Sequence, residues 1–163
     1  MDGAAEYSIT RLTEHDDLDE VAALEAASFT NPWSRDMLLR ELRNSDVARV
    51  YVMRGRDGQL LAFCGCWFVL DELHINTLAV KLEERRRGLA TKLLRYLFAE
   101  AAAAGLTRAT LEVRRSNEAA LKLYERLGFE VQAIRRNYYS KPVEDGLVLW
   151  SRKLGFLDAN PDP

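Results

Sequence analysis

Cysteine is scarce, with two residues in 163, and both fall in one apolar run, Phe63-Cys64-Gly65-Cys66-Trp67-Phe68. A spacing of two puts both thiols on one face of a strand, where neighbours do not readily pair, so a disulfide framework is not expected. No second Cys/His cluster accompanies them, which argues against a metal site. A secretory leader is missing, as is any unbroken apolar stretch near the ~20 residues a membrane helix needs, so the expectation is a protein of the reducing cytoplasm that makes no membrane contact. Basic excess is absent too: 23 Lys and Arg stand against 25 Asp and Glu, a formal net charge of -2. Direct nucleic-acid binding through phosphate contacts is therefore not expected, and any contact with RNA or a ribosome should be local.

What the chain does have is apolar material, 48% of its residues, enough for the core of one compact domain. Residues 7–12 alternate as a strand, and residues 18–29 carry apolar side chains at helical spacing. Asn31-Pro32 then disfavours helix, and Ser34 can cap a second helix reaching about Arg43, leaving residues 29–33 as a loop. Residues 47–54 and 60–70 are rich in β-formers and flank Asp57-Gly58, a hairpin signal. A strand over 74–80 follows. Leu89, Leu93, Leu94, Leu97 and Ala101 make one stripe on a helix that Gly105 is placed to end. Residues 108–113 read as a strand, and 117–127 as a helix capped by Ser116 or Asn117 with Gly128 past its end. Residues 129–136 and 147–154 are two last strands, joined by a polar, tyrosine-rich connection. The order is βααβββαβαββ. It implies an α/β (α+β) domain over about 7–155 with a mixed, mostly antiparallel sheet of about seven strands, helices on both faces, and flexible ends at 1–6 and 156–163.

The charged turn before the long helix carries the first functional signal. A strand ending at Val80, a loop, and then Gly88-Leu89-Ala90 opening a helix place free backbone N–H groups at a positive helix end. Gly88 and Ala90 lack bulk, and Arg85, Arg86 and Arg87 can add charge-assisted hydrogen bonds to an anion. The common nucleotide signatures do not fit, but a coenzyme with a pyrophosphate does. Taken alone, the segment reads equally as a solvated charged turn leading into an ordinary helix.

Its surroundings separate these readings. Arg85, Gly88 and Ala90 match the Arg/Gln-x-x-Gly-x-Gly/Ala signature of the GNAT superfamily of acetyltransferases. Asn76-Thr77-Leu78-Ala79-Val80 precedes it, Leu111-Glu112-Val113 follows, and the stretch from Ser116-Asn117 through Tyr124 to Leu127-Gly128-Phe129 resembles the rest of that family's core in order. Phe29, Pro32-Trp33-Ser34, Leu111-Glu112-Val113-Arg114 and Ile134-Arg135-Arg136-Asn137-Tyr138-Tyr139, with Glu144-Asp145 beyond, resemble more narrowly the RimI-type ribosomal-protein-alanine N-acetyltransferases. The resemblance spans about residues 7–154. Two departures stand out: Ala90 where glycine is frequent, and a shorter link over 140–143.

The resemblance implies acetyl-CoA as cosubstrate and no metal. Its pyrophosphate would lie on Arg85, Arg86, Arg87, Gly88, Leu89, Ala90 and Thr91. Its pantetheine arm would meet main-chain groups of Leu78, Ala79 and Val80, on a strand that splays from its neighbour in the family, and Asn117. The implied acceptor is a protein N-terminus, the N-terminal alanine of small-subunit ribosomal protein number eighteen, framed by Phe29, Trp33, Arg136, Asn137, Tyr138 and Tyr139. Trp33, Tyr138 and Tyr139 read equally as core or rim residues.

Amide formation from a thioester needs a neutral amine, a polarised carbonyl and a stabilised leaving thiolate. An α-amine, with a pKa near ~8 against ~10.4 for lysine, needs only modest help to lose its proton. Glu112 stands near the carboxyl end of its strand, where open α/β sheets meet ligands. By pattern alone it is a polar residue on an exposed strand face; by resemblance it is the proton acceptor. Tyr124 can protonate the departing thiolate or serve as a buried structural tyrosine on the face of Ala120 and Leu127. Asn117, seven residues before it, returns to nearly the same helix face. Cys64 and Cys66 have no activating base nearby in sequence, so direct transfer is expected rather than an acyl-enzyme. His74 is an auxiliary candidate and reads more readily as structural. A small-molecule amine acetyltransferase and a silent acyl-CoA-binding module are the competing readings.

Overall fold

The computed structural model describes residues 6–151 and 154. The expected flexible ends therefore lie outside the described residues, Glu6 apart. Seven strands, β1 (Tyr7–Arg11), β2 (Ala48–Gly55), β3 (Leu60–Val69), β4 (Glu72–Val80), β5 (Arg108–Arg114), β6 (Glu130–Tyr139) and β7 (Glu144–Ser151), alternate with four helices. The helices are α1 (Asp19–Ser28), α2 (Arg35–Arg43), α3 (Leu89–Ala103) and α4 (Glu118–Arg126). This is the order βααβββαβαββ. The strands form one sheet in the order β1-β2-β3-β4-β5-β7-β6. Pairs β1–β2, β5–β7 and β6–β7 are antiparallel and β4–β5 is parallel, so the sheet is mixed. No helix among the described residues is long and apolar enough to cross a membrane.

The chain forms two compact units, one within Met1–Cys66 and Thr77–Leu97, the other within Trp67–Asn76 and Phe98–Pro163. In the first, Leu18, Val21 and Leu24 next to and along α1 and Leu38 and Leu42 of α2 pack with Val50 and Val52 of β2, Phe63 and Ala79. Tyr51 and Met53 point to the opposite face of β2, because successive strand side chains alternate, and they too are buried. Tyr51 meets Tyr96 of α3 edge-on at 5.9 Å between ring centroids. Helices thus cover both faces of this part of the sheet. The Ser34 hydroxyl accepts the Met37 amide at 3.2 Å, the capping expected from its position after Asn31-Pro32. Gly58 takes φ 83 in the β2–β3 hairpin, a conformation that favours glycine.

In the second unit, β4 and β5 run in parallel register from Glu72 opposite Arg108 to Ile75 opposite Leu111. Strand β5 pairs along its length with β7, from Ala109–Ser151 to Arg114–Gly146. Here the structure departs from the sequence expectation. The polar, tyrosine-rich stretch expected to connect the last strands is strand at both ends, since β6 continues through Tyr139 and β7 begins at Glu144, and only residues 140–143 form the turn. The reason is an irregularity in the ladder: between Arg135–Gly146 and Tyr139–Glu144 the β6 side carries three residues and the β7 side one. Two extra residues kink the strand without ending it, which alternation of apolar and polar residues does not reveal. The last strand also starts three residues earlier than expected, at Glu144; residues 152 and 153 of its expected end lie outside the described residues.

Candidate active site

The first unit holds the charged loop. Beyond Val80 the chain makes a single 3-10 turn at Leu82–Glu84, then passes Arg86 at φ 65 and Gly88 at φ 72 before α3 starts at Leu89. A Cβ on Gly88 would meet nothing within 4 Å, so its backbone conformation, not crowding, calls for glycine there. The Lys92 amide bonds back to the Gly88 carbonyl at 3.1 Å. The amides of Leu89, Ala90 and Thr91 come before that first helical bond and have no carbonyl of the helix to satisfy them. They form an open-sided row of donors at the positive end of a 15-residue helix. A pyrophosphate fits this chemistry. Two of the three arginines are already engaged by the loop: Arg85 Nε donates to the Val80 carbonyl at 3.2 Å, and Arg87 pairs with Glu84 and, at 3.6 Å, with Glu6. Ahead of the loop, Ala79 is buried in the α1–α2 core, while Leu78 and Val80, on the other face of β4, are half-buried.

The same unit places Phe29 and Trp33 between α1 and α2. Phe29 is exposed; Trp33 is partly buried against the core. The Trp33 amide donates to Glu25 Oε1 at 3.1 Å, and Thr77 of β4 donates its hydroxyl to Glu25 Oε2 at 2.8 Å. Burial pushes the Glu25 carboxyl up from its ordinary value, against the pull of those two hydrogen bonds.

The second unit holds the ionisable cluster. Glu112 is opposite Val148 in the β5–β7 ladder, with its side chain 28% exposed. Its Oε1 lies 3.1 Å from Arg135 Nε. The Tyr138 hydroxyl donates to the same carboxylate, and that bond, more than burial or charge, raises the Tyr138 phenol above its ordinary range. Arg135 also lies over the Tyr138 ring at 5.4 Å, so base candidate, cation and phenol form one group. Tyr139 meets Tyr138 edge-on at 5.0 Å. Its phenol is pushed up to about 12, first by burial and then by the charge of Glu112.

The bulge in β6 presents Arg136, Asn137 and Tyr138. Asn137 adopts φ 52, and its amide donates to Asp145 Oδ1 at 3.0 Å. Tyr138 lies across Gly146 so closely that a Cβ there would sit 3.0 Å from Cδ1 of the ring. The turn beyond is held by Arg114, which reaches Glu144 Oε1 at 3.2 Å and the carbonyls of Ser140 and Pro142 at 2.9 and 3.0 Å. Arg114 also covers the Tyr139 ring at 4.6 Å. Glu144 accepts the Ser116 amide at 2.9 Å. Its carboxyl is held below the usual range, first by the Ser116 hydroxyl and also by Arg114.

Tyr124 is buried on α4, with its ring edge-on to Phe129 at 5.5 Å. Asn117 caps this helix, its Oδ1 accepting the Ala120 amide at 3.2 Å. That oxygen is spent on the cap. His74 bonds Glu72 at 2.8 Å, and Glu72 also pairs with Arg108, so this histidine is held in a structural pair. Both thiols are buried: burial holds Cys64 well above its ordinary value and pushes Cys66 up to about 12, which denies either the thiolate a nucleophile needs.

Among the expected site residues, Glu112 and Tyr138 are in direct contact, Arg136 and Asn137 follow Arg135 on the same bulge, and Arg85 bonds the Val80 carbonyl while Arg87 pairs with Glu84. Five residues that hold these groups lay outside the expected site: Arg135, Glu144 and Asp145 beside the β6 bulge, and Glu25 and Thr77 behind Trp33. A signal existed for Glu25. It falls within the apolar stripe of α1, beside Leu24 and four residues after Val21, where a charge is out of pattern.

The acetyltransferase (GNAT) family model matches residues 18–129. The [ribosomal protein bS18]-alanine N-acetyltransferase of Escherichia coli (strain K12) is 36% identical over 133 residues, 82% of this chain and 86% of that protein. The enzyme of the same name from Haemophilus ducreyi is 35% identical over 130 residues, 80% of this chain and 86% of its own length. The crystal structure of the ribosomal-protein-S18-alanine N-acetyltransferase from Escherichia coli superposes with a TM-score of 0.81 at 32% identity, covering 88% of this chain and 92% of that one. With a family match over more than half its length and such relatives across four-fifths of it, the chain belongs to the acetyltransferase (GNAT) family.

Proposed function

We propose that this protein transfers the acetyl group of acetyl-CoA directly to the N-terminal amine of a protein in the cytoplasm, its acceptor being the N-terminal alanine of ribosomal protein bS18. The observation that carries the reading is Glu112: an acceptor-only carboxylate on β5, oriented by Arg135 and Tyr138 and followed along β6 by a bulge that offers polar and aromatic groups. Relatives that cover most of the chain and bear that activity in their names support the choice of acceptor.

Acetyl-CoA supplies the activated acyl group as a thioester. The first-turn amides of Leu89, Ala90 and Thr91, with Gly88 shaping the approach and Arg85, Arg86 and Arg87 lending charge, bind its pyrophosphate. Main-chain groups of Leu78, Ala79 and Val80 and the Asn117 region hold its arm. Glu112 takes the proton of the α-amine, directly or through one water, as the new N–C bond forms. Tyr124 gives its hydroxyl proton to the sulfur as the C–S bond breaks. Phe29, Trp33, Arg136, Asn137, Tyr138 and Tyr139 position the peptide. The protons balance: one leaves the ammonium for solvent before attack, one passes to Glu112 and from it to solvent, and Tyr124 regains from solvent the one it gives, for a net release of one proton.

The test offers purified protein acetyl-CoA with an N-terminal Ala peptide, an Lys peptide with a blocked N-terminus and a polyamine, and reads free thiol. Turnover with the Ala peptide at least ~10-fold above the others is expected, since the α-amine is the most readily deprotonated of the three. Preference for the polyamine would make this a small-molecule enzyme, and no release with any acceptor would make it a binding module.

A further inference from the structure

Glu25 is the buried acid for which the proposed reaction has no use. It is 5% exposed and Thr77, its partner on β4, 7%. The space bounded by Val21, Ala22, Glu25, Trp33, Leu38 and Phe63 has no room for a water molecule. The carboxylate therefore has its protein donors, one on each oxygen: the Trp33 amide at 3.1 Å and the Thr77 hydroxyl at 2.8 Å. A helix face that needed only packing would be served better by leucine or methionine, because a buried carboxylate costs desolvation that two hydrogen bonds only partly offset. What the carboxylate adds is direction. It ties three segments far apart in sequence, α1, the loop before α2 and β4, at defined backbone and side-chain atoms. Gly65 allows the approach: a Cβ there would stand 2.9 Å from Thr77 Cγ2 and 3.4 Å from the Trp33 ring.

We infer that Glu25 is a positioning residue for the acceptor, fastening the loop that carries Phe29 and Trp33 to β4 beside Leu78 through the Trp33 amide and the Thr77 hydroxyl. The inference rests on the proposed role of that loop in binding the acceptor. Glu25 touches no reacting atom in this scheme. Its effect is to keep the loop in one conformation, so that the peptide does not have to order it on binding.

The test is steady-state kinetics on Glu25→Met, which keeps the volume and removes the acceptors, and Glu25→Gln, which keeps one carbonyl oxygen, together with the Trp33 backbone amide followed by 15N NMR. For Glu25→Met the KM of the Ala peptide should rise ~10-fold, as expected for loss of a hydrogen bond to a charged group, with the acetyl-CoA KM within ~2-fold. Glu25→Gln should recover most of the loss. The Trp33 amide resonance should move and exchange faster in the Met variant, and less so in the Gln one. Unchanged peptide KM, or equal rises in both KM values, would overturn the inference, as would a Trp33 amide indifferent to Glu25→Met. If Glu25→Met does not fold, Thr77→Val removes a single donor: a ~3-fold rise in peptide KM is expected, and none would overturn the inference. Should wild-type protein not acetylate the peptide, the acceptor reading falls, while the Trp33 amide still decides whether Glu25 holds the loop.

Discussion

The 85–91 loop and the Glu112 cluster face the problem of charge in opposite ways. The loop offers main-chain amides at a helix end, and its arginines are partly occupied in holding the loop itself, Arg85 on Val80 and Arg87 on Glu84. The cluster offers side chains: one carboxylate, one guanidinium and one phenol in mutual contact on β5 and β6. A site made of backbone tolerates most single side-chain changes and is sensitive to conformation. A site made of three side chains is sensitive to the identity of each. Substitutions should therefore separate the two regions by which kinetic constant they move.

The largest effect is expected from Glu112→Gln, which keeps the shape and loses the proposed base: kcat should fall ~10²–10⁴-fold with little change in acetyl-CoA KM. Tyr124→Phe should come next, lowering kcat ~10²-fold and leaving acetyl-CoA affinity nearly intact, because only the proton proposed for the leaving group is removed. Equal losses in both constants would show instead that the buried ring matters for packing against Phe129. Gly88→Val tests the other region. Forcing a β-branched residue at φ 72 costs about 1–2 kcal/mol of local strain, so acetyl-CoA KM should rise ~10-fold or more while kcat at saturation changes little. If Gly88→Val moved kcat alone, the contrast between the regions would fail.

The smallest effect concerns stability. The folded Glu25 carboxyl is raised above its ordinary value of 4.5 by burial. Its contribution to stability is thus fully present below about 4.5 and is lost as pH rises through the folded value. Glutamine does not titrate. The melting temperature of Glu25→Gln relative to wild type should therefore improve between pH 4 and pH 7, as followed by circular dichroism; a difference independent of pH would show that the wild-type carboxyl does not titrate differently in the folded state.

The elements that position both regions were legible because they obey periods. The α3 stripe from Leu89 to Ala101, the alternation in β1 and the glycines at 58, 88 and 105 each announce a boundary by a local rule. The turn before α3 and the helix start at Leu89 were legible for the same reason, since a loop before a helix is a local pattern. The bulge on β6 was not. Two extra residues in a ladder depend on what β7 supplies opposite, namely Asp145 for the Asn137 amide and Gly146 beneath Tyr138, each eight residues away along the chain. Arg135 lies in the Ile134–Tyr139 motif, but its value comes from Glu112, 23 positions earlier, whose Oε1 lies 3.1 Å from its Nε. Glu25 and Thr77 are 52 residues apart, and only the fold shows that the odd charge in the α1 stripe has its donor on β4. Local rules predict elements and main-chain sites; sites that depend on side chains from different strands need the tertiary pairing.

The most direct test of the account is mass spectrometry of a peptide carrying the N-terminal alanine of bS18 after incubation with acetyl-CoA and either wild-type protein or Glu112→Gln, from pH 6 to 8. The account predicts acetyl on the α-amine with wild type and a yield lower by ~10²-fold or more with the variant at every pH, as loss of a general base requires. Full yield from Glu112→Gln across that range would contradict it.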